Sequence, residues 1–252
     1  LYELKYHRDH TVLHINCLPP SAYFVPFEDE ESARAGRRES SPRFFDLCGE
    51  WDFKWYPRAE DAARDLEKGA VFTEKIAVPS CWQMQLGRGY DVPQYTNFNY
   101  PFPLDPPYIP DEIPAGLYSR RFEAAPGSLD AGDAILTFEG VASCFYLWIN
   151  GSFAGYSTVS HSTSQFDATG YLREGDNRLD VLALKWCAAS YLEDQDMWRM
   201  SGVFRPVYLT FRPKARVEDV HVLPSVASGL SSAELHCTLR TVGDPDVSYK
   251  LE

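Results

Sequence analysis

Between Gly116 and Phe211 the chain is a succession of short apolar or alternating runs: LYSRRFEA, AILTFEGVA, FYLWINGSFAGYS, SQFDATGYL, NRLDVLALKW and VFRPVYLTF. Turn residues separate them, and no long helical period intervenes. Alternation with a period of two sends one set of side chains to a buried face, so these runs predict strands of a sandwich. Asn150-Gly151, between FYLWI and SFAGY, is the sharpest turn signal, because a two-residue hairpin turn needs positive φ at both positions. Asp176-Asn177, after Glu174-Gly175, marks a further turn.

Upstream, FFDLCGEWDFKWYP holds Phe45, Leu47, Trp51, Phe53 and Trp55 on one parity; a gentle kink or bulge at Cys48-Gly49 would keep them all facing inward. RAEDAARDLEKG reads as a short, charged exterior helix stopped by its glycine. FTEKIAVPSCWQ reads as a strand ending at Pro79. Residues 87–114 are too rich in proline for a helix or a central strand. Their Tyr, Phe and Asn residues suit either a carbohydrate-facing surface, where rings stack on sugar faces and amides pair with hydroxyls, or plain packing.

SYLEDQDMWRMSGVFR, from Ser190 to Arg205, is longer than a hairpin connection requires and sets Glu193, Asp194 and Asp196 beside Trp198 and Met200. Long loops on a rigid sheet are where binding groups are usually carried. A carboxylate next to apolar surface tends to pair with a cation or a hydroxyl instead of bulk water. A solvated acidic loop is the competing reading.

Composition narrows the function classes. With 252 residues, 44% of them hydrophobic and 14% aromatic, the chain can bury a sizeable core and is not disordered throughout. A formal net charge of −12 argues against a nucleic-acid partner. Cys17, Cys48, Cys81, Cys144, Cys187 and Cys237 show no zinc-site spacing, and several fall in strand-like runs where a reduced thiol packs as a small hydrophobe. A reducing, cytoplasmic setting is therefore expected, with no membrane partner because no run is long enough to span a bilayer. The chain begins at Leu1, and a trimmed leader would leave the same start.

SYLEDQDMWRMSGVFRPVYL, LCGEWDFKWYP, VPSCWQMQ, GYDVPQYTNFNYPFPLDPPYIP, GLYSRRF, FEGVASCFYLWINGSFAGYS and SQFDATGYLREGDNRLDVLALKW together resemble, in order, the N-terminal region of the large bacterial β-galactosidases of glycoside hydrolase family 2. The resemblance implies an all-β chain: an irregular N-terminal arm (1–43), a galactose-binding-like jelly-roll β-sandwich (44–213), and the truncated start of an immunoglobulin-like β-sandwich (214–252). Tyr23, Phe24 and Phe27 would anchor the arm, either on its own domain or on another subunit of a homo-oligomer.

Retaining glycoside hydrolysis needs two carboxyl groups about 5 to 5.5 Å apart. Within this loop only Asp194 and Asp196 share a face of an extended strand. No second loop offers an acid/base partner, and the family keeps its catalytic glutamates in a downstream TIM barrel, so no catalytic residue is expected in this chain and the fragment alone is expected to be inactive. The resemblance instead gives Asn97 and Asp196 to substrate binding, with Asp196 taking the galactose C6 hydroxyl and a sodium ion in a site that the barrel completes. Magnesium belongs, on the same ground, to the full-length enzyme, and no tightly bound cofactor is expected here. The implied parent hydrolyses terminal non-reducing β-D-galactosides such as lactose. A free-standing carbohydrate-binding module and the same domain of a family 2 β-glucuronidase or β-mannosidase are the alternatives. His161, in TVSHSTSQFD, is expected to be an ordinary loop histidine.

Overall fold

The computed structural model describes residues 3–97, 99–125, 127–193 and 196–243. In chain order the elements are β1 (His14–Ile15), α1 (Glu30–Ala35), β2 (Phe44–Asp46), β3 (Gly49–Tyr56), α2 (Ala59–Glu67), β4 (Glu74–Val78), β5 (Gln94–Thr96) and β6 (Ala115–Ala124). Then come β7 (Asp133–Phe138), β8 (Val141–Ala142), β9 (Cys144–Ile149), β10 (Ser152–Ser157), β11 (Ser164–Asp167) and β12 (Gly175–Leu184). The last are β13 (Met197–Arg199), β14 (Gly202–Val203), β15 (Val207–Arg212), β16 (Arg216–Val226) and β17 (Ala233–Val242).

A seven-stranded antiparallel sheet, in the order β1-β10-β9-β12-β6-β3-β4, faces a four-stranded one, in the order β11-β7-β15-β2. Strand alternation fills the space between them. Trp51 and Phe53 of β3, Leu147 of β9, Leu179 and Val181 of β12, Leu136 and Phe138 of β7 and Leu209 of β15 form one buried cluster. Each side chain of this size contributes about 1.5 to 3 kcal/mol when taken from water. This is the all-β sandwich that the alternating runs predict.

The seven-stranded sheet is buried on its other face as well. Tyr146, Trp148, Leu182 and Leu184 point there into a second cluster with Ala59, Ala62, Ala63 and Leu66 of α2 and Ile109 and Ile113 of the long loop. That second cover explains why NRLDVLALKW reads as a continuous apolar run. It also corrects the reading of α2 as an exterior helix: its small residues at i, i+3 and i+4 form a buried stripe, while Glu60, Asp61 and Arg64 occupy other sides.

At Cys48-Gly49 the chain does not kink within one strand. It changes sheets: β2 pairs with β15, and after Gly49 (φ 111°) β3 pairs with β4 and β6. The Asn150-Gly151 turn joins β9 to β10 with φ of 52° and 81°. Asp176-Asn177, expected as a turn, opens β12 instead. Asn177 is buried there, its side-chain amide bonding the Arg173 and Gly175 carbonyls at 2.6 and 2.8 Å.

The arm lies along its own domain. β1 extends the seven-stranded sheet beside β10, the Leu18 amide donates to the Gln165 carbonyl at 2.8 Å, and the Ala22 amide donates to Asp219 Oδ1 at 2.7 Å. In the arm, α1 is capped by Asp29, which accepts from the Ser32 amide at 2.8 Å, and the helix has no buried residue. Beyond the sandwich, β16 and β17 form a hairpin tied at its root by Arg212 to Glu218 (2.9 Å) and Arg216 to Asp133 (2.7 Å), and exposed from His221 onward. DVSYKLE, read as a further strand, lies outside the described residues. All six cysteines are free thiols. Among the described residues no helix is long and apolar enough to cross a membrane.

Candidate sugar-binding site

Two long connections come together where β6 begins and β12 ends: one follows β4 and reaches β6, the other joins β12 to β14. Three sets of contacts bind them into one body. At the start of the second, the Tyr191 ring lies tilted against Tyr100 and edge-on to Phe102 (ring centroids 5.4 and 5.3 Å), and Phe102 packs edge-on against Trp186 at 5.0 Å. The Tyr191 hydroxyl donates to the Pro103 carbonyl at 3.2 Å. Tyr100 and Phe102, suited by type to either role, are thus packing residues.

At the far end a buried polar chain crosses between the connections. Lys185 Nζ lies 2.5 Å from Asp91 Oδ2. Gln83 Nε2 donates to Asp91 Oδ2 at 3.1 Å and to Ser201 Oγ at 3.3 Å, and Gln83 Oε1 accepts from the Ser201 amide at 2.8 Å. Gln83, Lys185 and Ser201 are all buried. Charges removed from water in this way persist because each has a partner.

Between these anchors, β5 and β13 form a separate antiparallel ribbon with Met197 opposite Thr96, Trp198 opposite Tyr95 and Arg199 opposite Gln94. The stretch 87–114 was expected to make a poor central strand, and the residues of it that pair do so here, in a ribbon outside both sheets. Continuing the register by one rung sets Asn97 against Asp196. Tyr95 and Trp198, directly opposite each other, share a side of the ribbon, and Asp196 and Asn97 stand just beyond its last paired rung. The contacts agree: Tyr95 Oη donates to Asp196 Oδ1, and the Tyr95 and Trp198 rings lie 5.8 Å apart at 57°. All four residues are exposed. One face of the ribbon therefore carries two aromatic rings and a carboxylate, with Asn97 exposed at the adjoining tip.

Asp196 accepts a side-chain hydrogen bond from Tyr95 and stays at the surface, where a ligand can reach it. The Tyr95 phenol is held above its ordinary ionisation range, since losing its proton would break that bond and set two anions side by side. Asp194 and Gln195 lie outside the described residues. Tyr95 and Trp198 complete the face, and the signal for them is the i, i+2 spacing in YTN and DMW.

Glu193 belongs to a different environment. Its Oε1 accepts from Ser160 Oγ, and burial pushes its carboxyl above the usual range despite help from Ser143 and the Arg199 charge. It lines a cavity of about 210 Å³ together with Ser143, Ser160, Trp198, Met200 and Phe204, which neither Asn97 nor Asp196 lines. His161 also borders it, its ring 5.3 Å from that of Phe204, as a loop residue.

The model of glycosyl hydrolases family 2, sugar binding domain, matches residues 44–213. The chain is 42% identical over 231 residues to a β-galactosidase of Actinobacillus pleuropneumoniae, covering 92% of this chain and 22% of that protein. It is 41% identical over 222 residues to a β-galactosidase of Erwinia tasmaniensis, covering 88% of this chain and 21% of that protein. The chain thus spans about a fifth of the length of these curated relatives. Among solved structures, a Ruminococcus gnavus β-glucuronidase superposes with a TM-score of 0.57 at 15% identity, covering 80% of this chain and 33% of that chain. A β-glycosidase from Bacteroides vulgatus does so at 0.56 and 20%, covering 81% and 25%. At these identities the likeness is one of fold. The chain belongs to glycosyl hydrolases family 2, and its sandwich is that family's sugar binding domain.

Proposed function

We propose that this chain is the galactoside-recognising portion of a retaining β-galactosidase acting on terminal non-reducing β-D-galactosides such as lactose, with the catalytic glutamates in a barrel elsewhere in the longer polypeptide. The observation that supports the reading is the ribbon face on which Tyr95, Trp198 and the Asp196 carboxylate meet, next to the end of β5 that Asn97 follows. Aromatic rings cover the apolar side of a pyranose, while an amide and a carboxylate exchange hydrogen bonds with its hydroxyls. Asp196 takes the C6 hydroxyl and a sodium ion, and Asn97 takes neighbouring hydroxyls.

Sodium is a hard cation that seeks oxygen ligands, and the exposed Asp196 carboxylate is a donor of that type. Among the described residues no cluster of three or more His, Cys, Asp or Glu could bind a metal, and Asp196 is the carboxylate this reading gives to the ion. The sugar and the rest of the polypeptide supply the other ligands.

In the full-length enzyme carrying this domain, Asp196→Ala is expected to raise KM for a nitrophenyl β-D-galactoside by about tenfold or more and to abolish its response to sodium at constant ionic strength. An unchanged KM and sodium response would rule the reading out. Faster turnover of a β-glucuronide would move the same face to the specificity named for the Ruminococcus gnavus neighbour. Galactose binding of equal strength by the isolated chain would make it a self-sufficient binding module.

A further inference from the structure

The ribbon that carries the candidate sugar contacts has three paired rungs and belongs to neither sheet of the sandwich. Two strands of this length do not hold a fixed geometry in water by themselves. Their placement must come from what grips their ends. At the end remote from Asn97 and Asp196, the strands part after the Arg199 and Gln94 rung, and Ser201 and Asp91 follow on the diverging chains. The side chain of Gln83 lies between them.

Its amide is used on both sides. Oε1 accepts from the Ser201 main chain at 2.8 Å, while Nε2 reaches Ser201 Oγ at 3.3 Å and Asp91 Oδ2 at 3.1 Å. Asp91 is itself fixed by Lys185 at the end of β12, 2.5 Å away, and the Trp82 amide donates to the Ser201 carbonyl at 3.1 Å. Gln83 therefore connects the chain that runs through β13 to Asp196, the chain that runs through β5 to Asn97 and, through Asp91 and Lys185, the rigid sheet. It is 3% exposed, and it touches neither of the sugar-contact residues.

We propose that Gln83 is a positioning residue for substrate: it clamps the root of the ribbon and thereby sets the separation and direction of Asn97 and Asp196 at its tip. This inference rests on the reading of those two residues as sugar contacts. The leverage is large. Asp196 lies five residues from Ser201, roughly 17 Å of extended chain at about 3.4 Å per residue, so a small splay at the root becomes a displacement at the tip that a hydrogen bond to a hydroxyl does not tolerate.

The test is a double-mutant cycle in the full-length enzyme carrying this domain, using Gln83→Met, Asp196→Ala and the pair. Methionine keeps the length and bulk of the side chain and removes all three hydrogen bonds. With Asp196 present, Gln83→Met is expected to raise KM for a β-galactoside by about tenfold with a smaller change in kcat. With Asp196 already replaced by alanine, it is expected to raise KM less than twofold, because its effect passes through that carboxylate. An unchanged KM, or the same rise in both backgrounds, overturns the positioning role while leaving the sugar-contact reading intact. An Asp196→Ala enzyme with unchanged KM overturns that reading and the inference with it. If Gln83→Met does not accumulate as folded protein, Gln83→Glu replaces it; glutamate keeps the acceptor for the Ser201 amide and loses the donor to Asp91. The expected result is then a rise of the same sign, again dependent on Asp196, and an Asp196-independent rise or none overturns the proposal.

Discussion

Tyr95 hands its phenolic hydrogen to Asp196 across the ribbon, so one oxygen of the carboxylate at the candidate sugar site is engaged by its own domain before a ligand arrives. That bond is the main reason the phenol ionises above its ordinary range. Asp196→Ala should let Tyr95 ionise at lower pH, followed through the ring-carbon resonance of Tyr95 in a pH titration. A Tyr95 titration identical in both proteins would show that the bond does not form in solution.

Lys185 and Asp91 form an ion pair whose lysine is 4% exposed. Lys185→Met leaves the Asp91 carboxylate without its cation and is expected to cost about 3 to 5 kcal/mol of stability. Pairing it with Asp91→Asn should recover part of that loss. Urea unfolding of the single and double variants measures both, and additive losses would contradict the pairing.

Gly202 follows Ser201 at the foot of the ribbon with φ of +117°, and a β-carbon there would lie 2.5 Å from the hydroxyl oxygen of Tyr118. Tyr118 is fully buried and has little room to retreat. Gly202→Ala should destabilise the fold by about 2 to 3 kcal/mol, combining backbone strain with overpacking. A melting temperature equal to that of the parent would refute this.

Glu193 has its carboxyl raised by burial, so the fold holds the proton at pH values where the unfolded chain has released it. Its contribution to stability is fully present below the unfolded-state value and falls away as pH climbs through the folded-state one. Glu193→Gln keeps an acceptor for Ser160 and has no proton to lose. The variant should lose that part of the pH dependence and gain stability at neutral pH relative to the parent, as read from unfolding curves across the acid range. A parallel pair of curves would show that Glu193 does not titrate differently in the two states.

The sandwich could be read from the chain because its signals are local. Alternation along β6, β7 and β12 marks inward and outward residues within each strand, and Asn150-Gly151 declares its hairpin in two residues. The sheet change at Cys48-Gly49 was hidden because Phe45, Leu47, Trp51 and Phe53 keep one parity through it, and parity does not say which sheet a strand joins. The buried side of α2 was masked by Glu60, Asp61 and Arg64, whose charges outweigh three alanines in any local average. β5 was invisible for a deeper reason: Gln94, Tyr95 and Thr96 are a strand only because Met197, Trp198 and Arg199, roughly a hundred positions away, lie beside them. Asn97 and Asp196 were reachable through family resemblance. Trp198 already stood out beside the carboxylates, while Tyr95 had only its spacing of two from Asn97, and it takes the pairing to set the two rings on one face.

The ribbon hangs from the sandwich without contributing a rung to either sheet. Its tip can be lengthened, shortened or rewritten while the β-ladders and their packing stay as they are. Substitutions at that tip therefore carry little risk to folding, and a change in what the tip recognises would not have to be offset elsewhere in the sandwich.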